Sequence, residues 1–320
     1  MHPYKTDVPV LLIFWARPEI FSKVFDQVKA ARPSKLFLYQ DGPREGHLDD
    51  QEKILKCREV AEDIDWECEL HKFYQPNNVG CDPSEFIAQK WAFSIVDRCI
   101  VLEDDDVPAL SFFPFCAELL ERYKNDERIS LICGMNHLGV SVGNPYDYTF
   151  SITGGIWGWA SWKRFIDKWD DNYGFLDDKY ILGLLGKLPS HGCRHETFIR
   201  TAIKHRRTGR AYYETILESS RLLNSGLNII PTKNMISNIG LGVDAVHAWA
   251  SLDFYPKGIR GVFDMERHEI EFPLKHPKHV VCDMNHVDGV FRIMGYGHRY
   301  VNLYRWLECR LLAIKRLFRS

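Results

Sequence analysis

The sequence has no run approaching the ~20 apolar residues that a bilayer-spanning helix requires, so an integral membrane protein is not expected. It also has no excess charge of either sign. With 41 Lys and Arg against 43 Asp and Glu, the formal charge is -2, which excludes the broad basic field of a nucleic-acid-binding chain. No CxxC pair occurs among its nine cysteines (57, 68, 81, 99, 116, 133, 193, 282 and 309). An odd set without paired spacing, partly inside apolar runs, is expected in a reducing compartment such as the cytoplasm. The N-terminal stretch lacks a small-residue cleavage site and reads as a first strand rather than a signal peptide. There is no internal repeat and no low-complexity tract.

What is present is an alternation of strand and helix patterns. Val8 to Trp15 is a continuous apolar run of buried parallel-strand type, and Pro18 to Ala31 follows with helical spacing of Ile20, Phe21, Val24, Phe25 and Val28. Further strands are predicted at Lys35–Tyr39, Cys68–Phe73, Arg98–Leu102, Ile129–Cys133, Tyr148–Ile152 and Asn228–Pro231. Further helices are predicted at Glu52–Ile64, Pro83–Val96, Phe112–Tyr123, Trp162–Trp169, Glu196–Lys204 and Tyr213–Leu223. Such alternation implies an α/β fold with a mostly parallel central sheet flanked by helices, and ligands gathered beyond the carboxyl ends of its strands. From about Ser251 the composition turns to His, Pro and charge. One catalytic domain over 1–250 and a C-terminal extension over 251–320 are therefore expected.

The strand Arg98–Leu102 runs directly into Glu103-Asp104-Asp105-Asp106. Consecutive carboxylates on one turn repel each other unless a cation neutralises them. Mg²⁺ and Mn²⁺ prefer oxygen ligands, and one or two protein carboxylates suffice when phosphate oxygens and water complete the shell. A solvated acidic turn is the alternative. The buried strand leading into the cluster favours the metal.

Several segments in fixed order resemble the GT-A glycosyltransferases, especially the N-acetylglucosaminyltransferase I type and related bacterial polysaccharide enzymes. These are Pro9 to Ile13 with Ala16-Arg17-Pro18, Leu36 to Gly42, Asn78 to Cys81, Val101 to Asp105, Phe112-Phe113, Ile132 to Asn136, Trp157 to Trp162, and Pro231 to Gly240. The resemblance covers residues 8 to about 250 and implies a GT-A, Rossmann-like fold. The implied activity is that of a hexosyltransferase or N-acetylhexosaminyltransferase, moving sugar from a nucleotide diphosphate donor, UDP-sugar being favoured, to a glycan or lipid-linked hydroxyl. By position it implies that Arg17 meets the donor diphosphate and Asp41 the base. Glu103 and Asp104 would face sugar and ribose, Asp105 would ligate Mn²⁺ or Mg²⁺, and Trp159 would wall the sugar pocket. An inverting transfer also needs a base. Glu214, in the Tyr213-Glu214 pair that matches the Trp-Asp of many relatives, is the candidate, although it also reads as a surface acid opening a helix. His247, in a loop expected to order over the donor, could reach metal or diphosphate, or merely pack. Asp82-Pro83 stands where relatives often carry a basic residue after Gly80-Cys81. The three tryptophans at 157, 159 and 162 read equally well as core.

Arg299 to Ser320 sets Trp306, Leu307, Leu311 and Leu312 among Arg299, Arg305, Arg310, Lys315, Arg316 and Arg319. This basic amphipathic pattern suits either an anionic membrane surface, making the protein peripheral, or packing on the catalytic domain. Two other functions suit parts of the sequence. A sugar-phosphate nucleotidyltransferase shares the sheet and the metal, but no Gly-rich phosphate loop follows the first strand. A non-enzymatic membrane-associated binding protein rests on the tail alone.

Overall fold

The computed structural model describes residues 6–188, 194–240, 255–296 and 299–317. In chain order the elements are β1 (Val10–Phe14), α1 (Pro18–Ala31), β2 (Lys35–Gln40), α2 (Leu48–Ala61), β3 (Glu69–Tyr74), α3 (Cys81–Ile95), β4 (Arg98–Glu103) and β5 (Asp106–Pro108). Next come α4 (Phe112–Arg122), β6 (Ile129–Cys133), β7 (Tyr148–Ser151), β8 (Trp159–Trp162), α5 (Lys163–Ile166), α6 (Lys179–Leu185), α7 (Arg194–Thr208) and α8 (Tyr213–Leu223). β9 (Leu227–Pro231), β10 (Ile236–Asn238), α9 (Lys257–Arg260), α10 (Met284–Met294) and α11 (Arg299–Leu317) complete the order.

Eight strands form one sheet in the order β3-β2-β1-β4-β8-β6-β9-β7, and β5 pairs with β10 in a small second sheet. β1 runs parallel to both β2 and β4, and β2 to β3. β8 lies antiparallel between β4 and β6. The expected α/β architecture, a largely parallel sheet flanked by helices with a helical C-terminal extension, is the one observed. The unbroken apolar run of β1 follows from its central place. Val10, Leu12 and Phe14 enter the core on one face of the sheet with Leu36, Leu38, Ile100 and Leu102. Leu11 and Ile13 enter the core on the other face with Phe37, Tyr39, Cys99 and Val101. A strand buried on both faces cannot alternate with polar residues.

Chain order reverses at β1: the chain winds outward to β2 and β3, then returns to place β4 on the other side. The crevice beyond the carboxyl ends of β1 and β4 is thus a topological switch point, where ligands bind in open α/β sheets. Arg17 leaves β1 there, and the acidic turn leaves β4. α1 starts on Pro18, whose missing N–H costs nothing in a first turn, and closes at Arg32 with φ of 49°.

The segment after residue 255 packs against this body. Ile270 and Leu274 join the core of β1 and β2. Asp283 caps α10, accepting from the N–H groups of Asn285 and His286 at 3.0 and 3.1 Å, while Thr149 Oγ1 donates to its other oxygen at 3.1 Å. His286 is buried beneath this cap, and neither ring nitrogen has a hydrogen-bond partner. Burial pushes its pKa from 6.5 down to about 4, against the opposing pull of Asp283. The unfolded chain therefore binds more protons than the fold between those values, so stability is full above pH 6.5 and is lost as the pH falls through the window. Going from pH 7 to pH 5 should cost about 2 kcal/mol at this one group. His286→Leu should flatten that part of the curve, read by urea unfolding at both pH values. An unchanged slope would show that another group carries it.

Candidate nucleotide and cation site

Glu103, Asp104, Asp105 and Asp106 stand at the switch point, and α3 adds Glu85 from the side. Asp104, Asp106 and Glu85 are buried, and Asp105 nearly so. One guanidinium meets two of them. Arg17 Nη2 pairs with Asp104 Oδ1 and, at 2.9 Å, with Asp105 Oδ2, and its Nε donates to Asp104 Oδ2 at 3.3 Å. The Trp15 N–H donates to Asp104 at 3.3 Å. Asn238 on β10 donates through Nδ2 to Asp105 at 3.0 Å and Asp106 at 3.1 Å, and the Gly158 N–H donates to Asp106 at 2.8 Å. Tyr213, the first residue of α8, donates its hydroxyl to Glu103 at 3.0 Å. Gln89, one turn along α3, donates to Glu85 at 3.0 Å.

Five clustered carboxylates, of which only Asp104 and Asp105 pair with Arg17, leave an excess of negative charge. Burial and then the neighbouring acids Asp106 and Asp104 push Glu85 well above the usual carboxylate range. Glu103 rises for the same reason, with Glu85 and Asp106 as the like charges. Asp106 is raised by burial and by Asp105. Asp104 is raised by burial despite Arg17. Such a cluster gains by taking up positive charge, from protons or from a cation.

Among the described residues no group of three or more His, Cys, Asp or Glu side chains forms a ready metal cage. The donor set nevertheless suits a hard cation that arrives with phosphate and needs only one or two carboxylates. Gly240 is part of the fit. A Cβ built on it would stand 2.0 Å from Asp105 Oδ2, so only glycine lets this strand end approach the carboxylate.

Beside the cluster lies a cavity of about 240 Å³ lined by residues that include Trp15, Arg17, Asp41, Arg44, Asn78, Glu85, Glu103 and Asp104. Asp41, after β2, holds one wall. One of its oxygens accepts from the Gly42 and Val79 N–H groups at 2.8 and 2.9 Å; the other accepts from Asn78 Nδ2 and the Gly80 N–H at 2.9 and 3.0 Å. Arg44 lies over the Trp15 ring at 4.7 Å and pairs with Asp50 at 2.8 Å. Trp15 Nε1 donates to the Gly42 carbonyl at 2.9 Å.

The structure therefore brings Arg17, Asp41, Glu103, Asp104 and Asp105 to one crevice. Trp159 is elsewhere: it is 1% exposed on β8, stacked on Phe93 with ring centroids 6.4 Å apart. Glu214 is exposed in the first turn of α8, while its neighbour Tyr213 is the residue that points into the cluster. His247 lies outside the described residues. Glu85, Tyr213 and Asn238 were not singled out from the sequence. Glu85 left a trace there as the first of an acid and amide pair one helical turn apart on α3, and Tyr213 as the neighbour of Glu214 in the pair matching Trp-Asp.

No protein-family model matches the chain, and no curated protein sequence matches it. Among solved structures it is similar to a cytidylyltransferase from Leptospira borgpetersenii (12% identity, 55% of this chain and 65% of that one, TM-score 0.31). It is also similar to the inositol-1-phosphate CTP transferase from T. maritima (10%, 51% and 73%, TM-score 0.29). A third is a UDP-glucose pyrophosphorylase complexed with UDP-glucose (8%, 68% and 99%, TM-score 0.28). At these scores the likeness carries no argument about what this chain does. The enzymes named are nucleotidyltransferases rather than glycosyltransferases, so they do not bear out the expected hexosyltransferase or N-acetylhexosaminyltransferase assignment. A carboxylate turn facing an arginine at a switch point suits metal-assisted chemistry at a nucleotide phosphate of either kind.

Proposed function

We propose that the chain is a metal-dependent enzyme that binds a nucleotide through its phosphates at the β1–β4 crevice and transfers a nucleotidyl group between a nucleoside triphosphate and a sugar phosphate. The observation that carries the reading is the cluster of five carboxylates at the switch point, two of them paired with Arg17, beside a cavity of about 240 Å³. In this reading a phosphate oxygen of the sugar phosphate attacks the α-phosphorus, the bond to the β-phosphate breaks, and pyrophosphate leaves. Arg17 orients the phosphates and offsets their charge. With no Gly-rich loop after β1, this side chain does what backbone N–H groups do elsewhere. Asp105, with phosphate oxygens, would hold Mg²⁺ or Mn²⁺, which supplies charge neutralisation at the phosphates. Glu103 and Asp104 face ribose and sugar, and the wall held by Asp41 takes the base. Glu214 has no step in this reaction.

The test is pyrophosphate release from UTP, CTP, GTP or ATP in the presence of Mg²⁺ and a panel of hexose 1-phosphates. Release that depends on the sugar phosphate, and falls at least ~100-fold in Asp105→Ala as electrostatic contacts at a reacting centre do, is the expected result. Nucleotide or nucleotide-sugar binding by calorimetry, with neither pyrophosphate release nor the reverse reaction for any pair, would remove the proposal.

A further inference from the structure

The C-terminal helix faces the wrong way for a helix whose apolar side serves the core. Its inward residues, spaced at 301, 305, 308 and 312, include two charged groups that anchor it. Arg305 donates to the Ile293 carbonyl, and Glu308 accepts from the Lys257 N–H at 2.9 Å. Leu312 is buried at the far end of the same face. The outward face carries an apolar stripe. Tyr300, Leu303, Tyr304, Leu307 and Leu311 fall within one arc of the helix at i, i+3, i+4, i+7 and i+11. They are 89%, 58%, 61%, 49% and 67% exposed, and Trp306 beside them is 55% exposed.

A stripe this long and open normally marks an interaction surface. Its occupant can be identified from charge and residue type. Residues 299–320 hold six Lys or Arg against a single acid, Glu308, in a chain whose formal charge is -2 overall. Arg299 is exposed beside the start of the stripe. Arg310 lies over the Trp306 ring at 5.3 Å, so one side chain pair presents an apolar plate and a cation together. A second copy of the helix would bring like charge against like charge. An anionic bilayer instead attracts the arginines, takes leucine into its acyl boundary, and places Trp and Tyr at headgroup depth. Among the described residues no helix is long and apolar enough to cross a membrane, which leaves the surface-lying mode.

We propose that α11 docks this enzyme flat on an anionic lipid surface through the Tyr300–Leu311 stripe, with its polar side fastened to the body of the protein. This goes beyond the reaction assigned above and does not depend on it, since its test reads binding alone.

The experiment is flotation of the full chain with vesicles of phosphatidylcholine alone and of phosphatidylcholine with phosphatidylglycerol at 3:1. Binding to the mixed vesicles should exceed binding to the neutral ones at least tenfold, and should fall several-fold when salt shortens the screening length. Leu303→Glu with Leu307→Glu, both at exposed positions, should abolish flotation without shifting Tm. Arg299→Gln with Arg310→Gln should weaken it several-fold. Absence of flotation with the mixed vesicles would overturn the proposal, as would flotation unaffected by the Leu pair. So would a dimer in sedimentation velocity that the Leu pair dissociates while vesicle binding stays nil, which would assign the stripe to a second copy.

Discussion

Arg17→Met should lower the unfolding free energy by about 3–5 kcal/mol, the usual cost of removing one partner from a buried ion pair, and should abolish nucleotide binding. The side chain is 18% exposed and faces Asp104 and Asp105, whose side chains are 6% and 12% exposed. Methionine keeps much of the packing length but leaves those carboxylates without the guanidinium, so the destabilisation measures electrostatics rather than a cavity. Millimolar Mg²⁺ should recover more Tm in the variant than in the parent, because the folded variant has more negative charge to neutralise and binding to the fold alone raises its stability. Urea unfolding and thermal scans with and without Mg²⁺ make the measurement. A variant within 1 kcal/mol of the parent, unmoved by Mg²⁺, would mean that the acids have settled their charge by taking up protons.

Asp41→Ala should cost about 3 kcal/mol, because buried donors left without acceptors lose about 1–3 kcal/mol each and the loop they belong to is partly open to water. Three of the four donors are backbone N–H groups, from Gly42, Val79 and Gly80. The carboxylate thus shapes the backbone from 77 to 80, and Gly42 is pressed so close that a Cβ on it would stand 2.4 Å from the Asn77 carbonyl carbon. Burial raises the pKa of Asp41 while the same N–H groups hold it down. Asp41→Asn keeps one acceptor oxygen and should lose about half as much. The measurements are denaturant unfolding and protease cleavage between residues 77 and 80. Fast cleavage in Asp41→Ala with near-parent global stability would make the loop a separate unit. Neither effect would return Asp41 to a direct ligand contact alone.

Much of this fold was legible because its elements are either buried on both faces or regularly amphipathic. α1, β6 and α8 occupy the predicted spans. α2 begins at Leu48 rather than Glu52 because its first turn is polar and Leu48 is 92% exposed, so no apolar period marks it. The helix expected over Trp162–Trp169 shrinks to Lys163–Ile166, since Trp162 ends β8. β8 itself was hidden: Trp-Ala-Ser-Trp has neither a long apolar run nor strict alternation, and becomes a strand only because β4 and β6 bracket it. β5 and β10, three residues each, have no signal apart from one another.

The order of residues along the chain was sufficient to place Arg17, Asp41 and the acids from 103 to 106 at strand ends, because a doubly buried strand announces its own exit and the first polar residue after it is bound to emerge at the sheet's carboxyl edge. Folding alone decided which of these groups meet. The β5–β10 pairing carries Asn238 across to Asp105 and Asp106, α8 turns Tyr213 rather than Glu214 toward Glu103, and β8 withdraws Trp159 into the core. Those outcomes depend on contacts between residues about 50 to 130 positions apart, where helix phase and strand register set direction, and local periodicity contains no record of either.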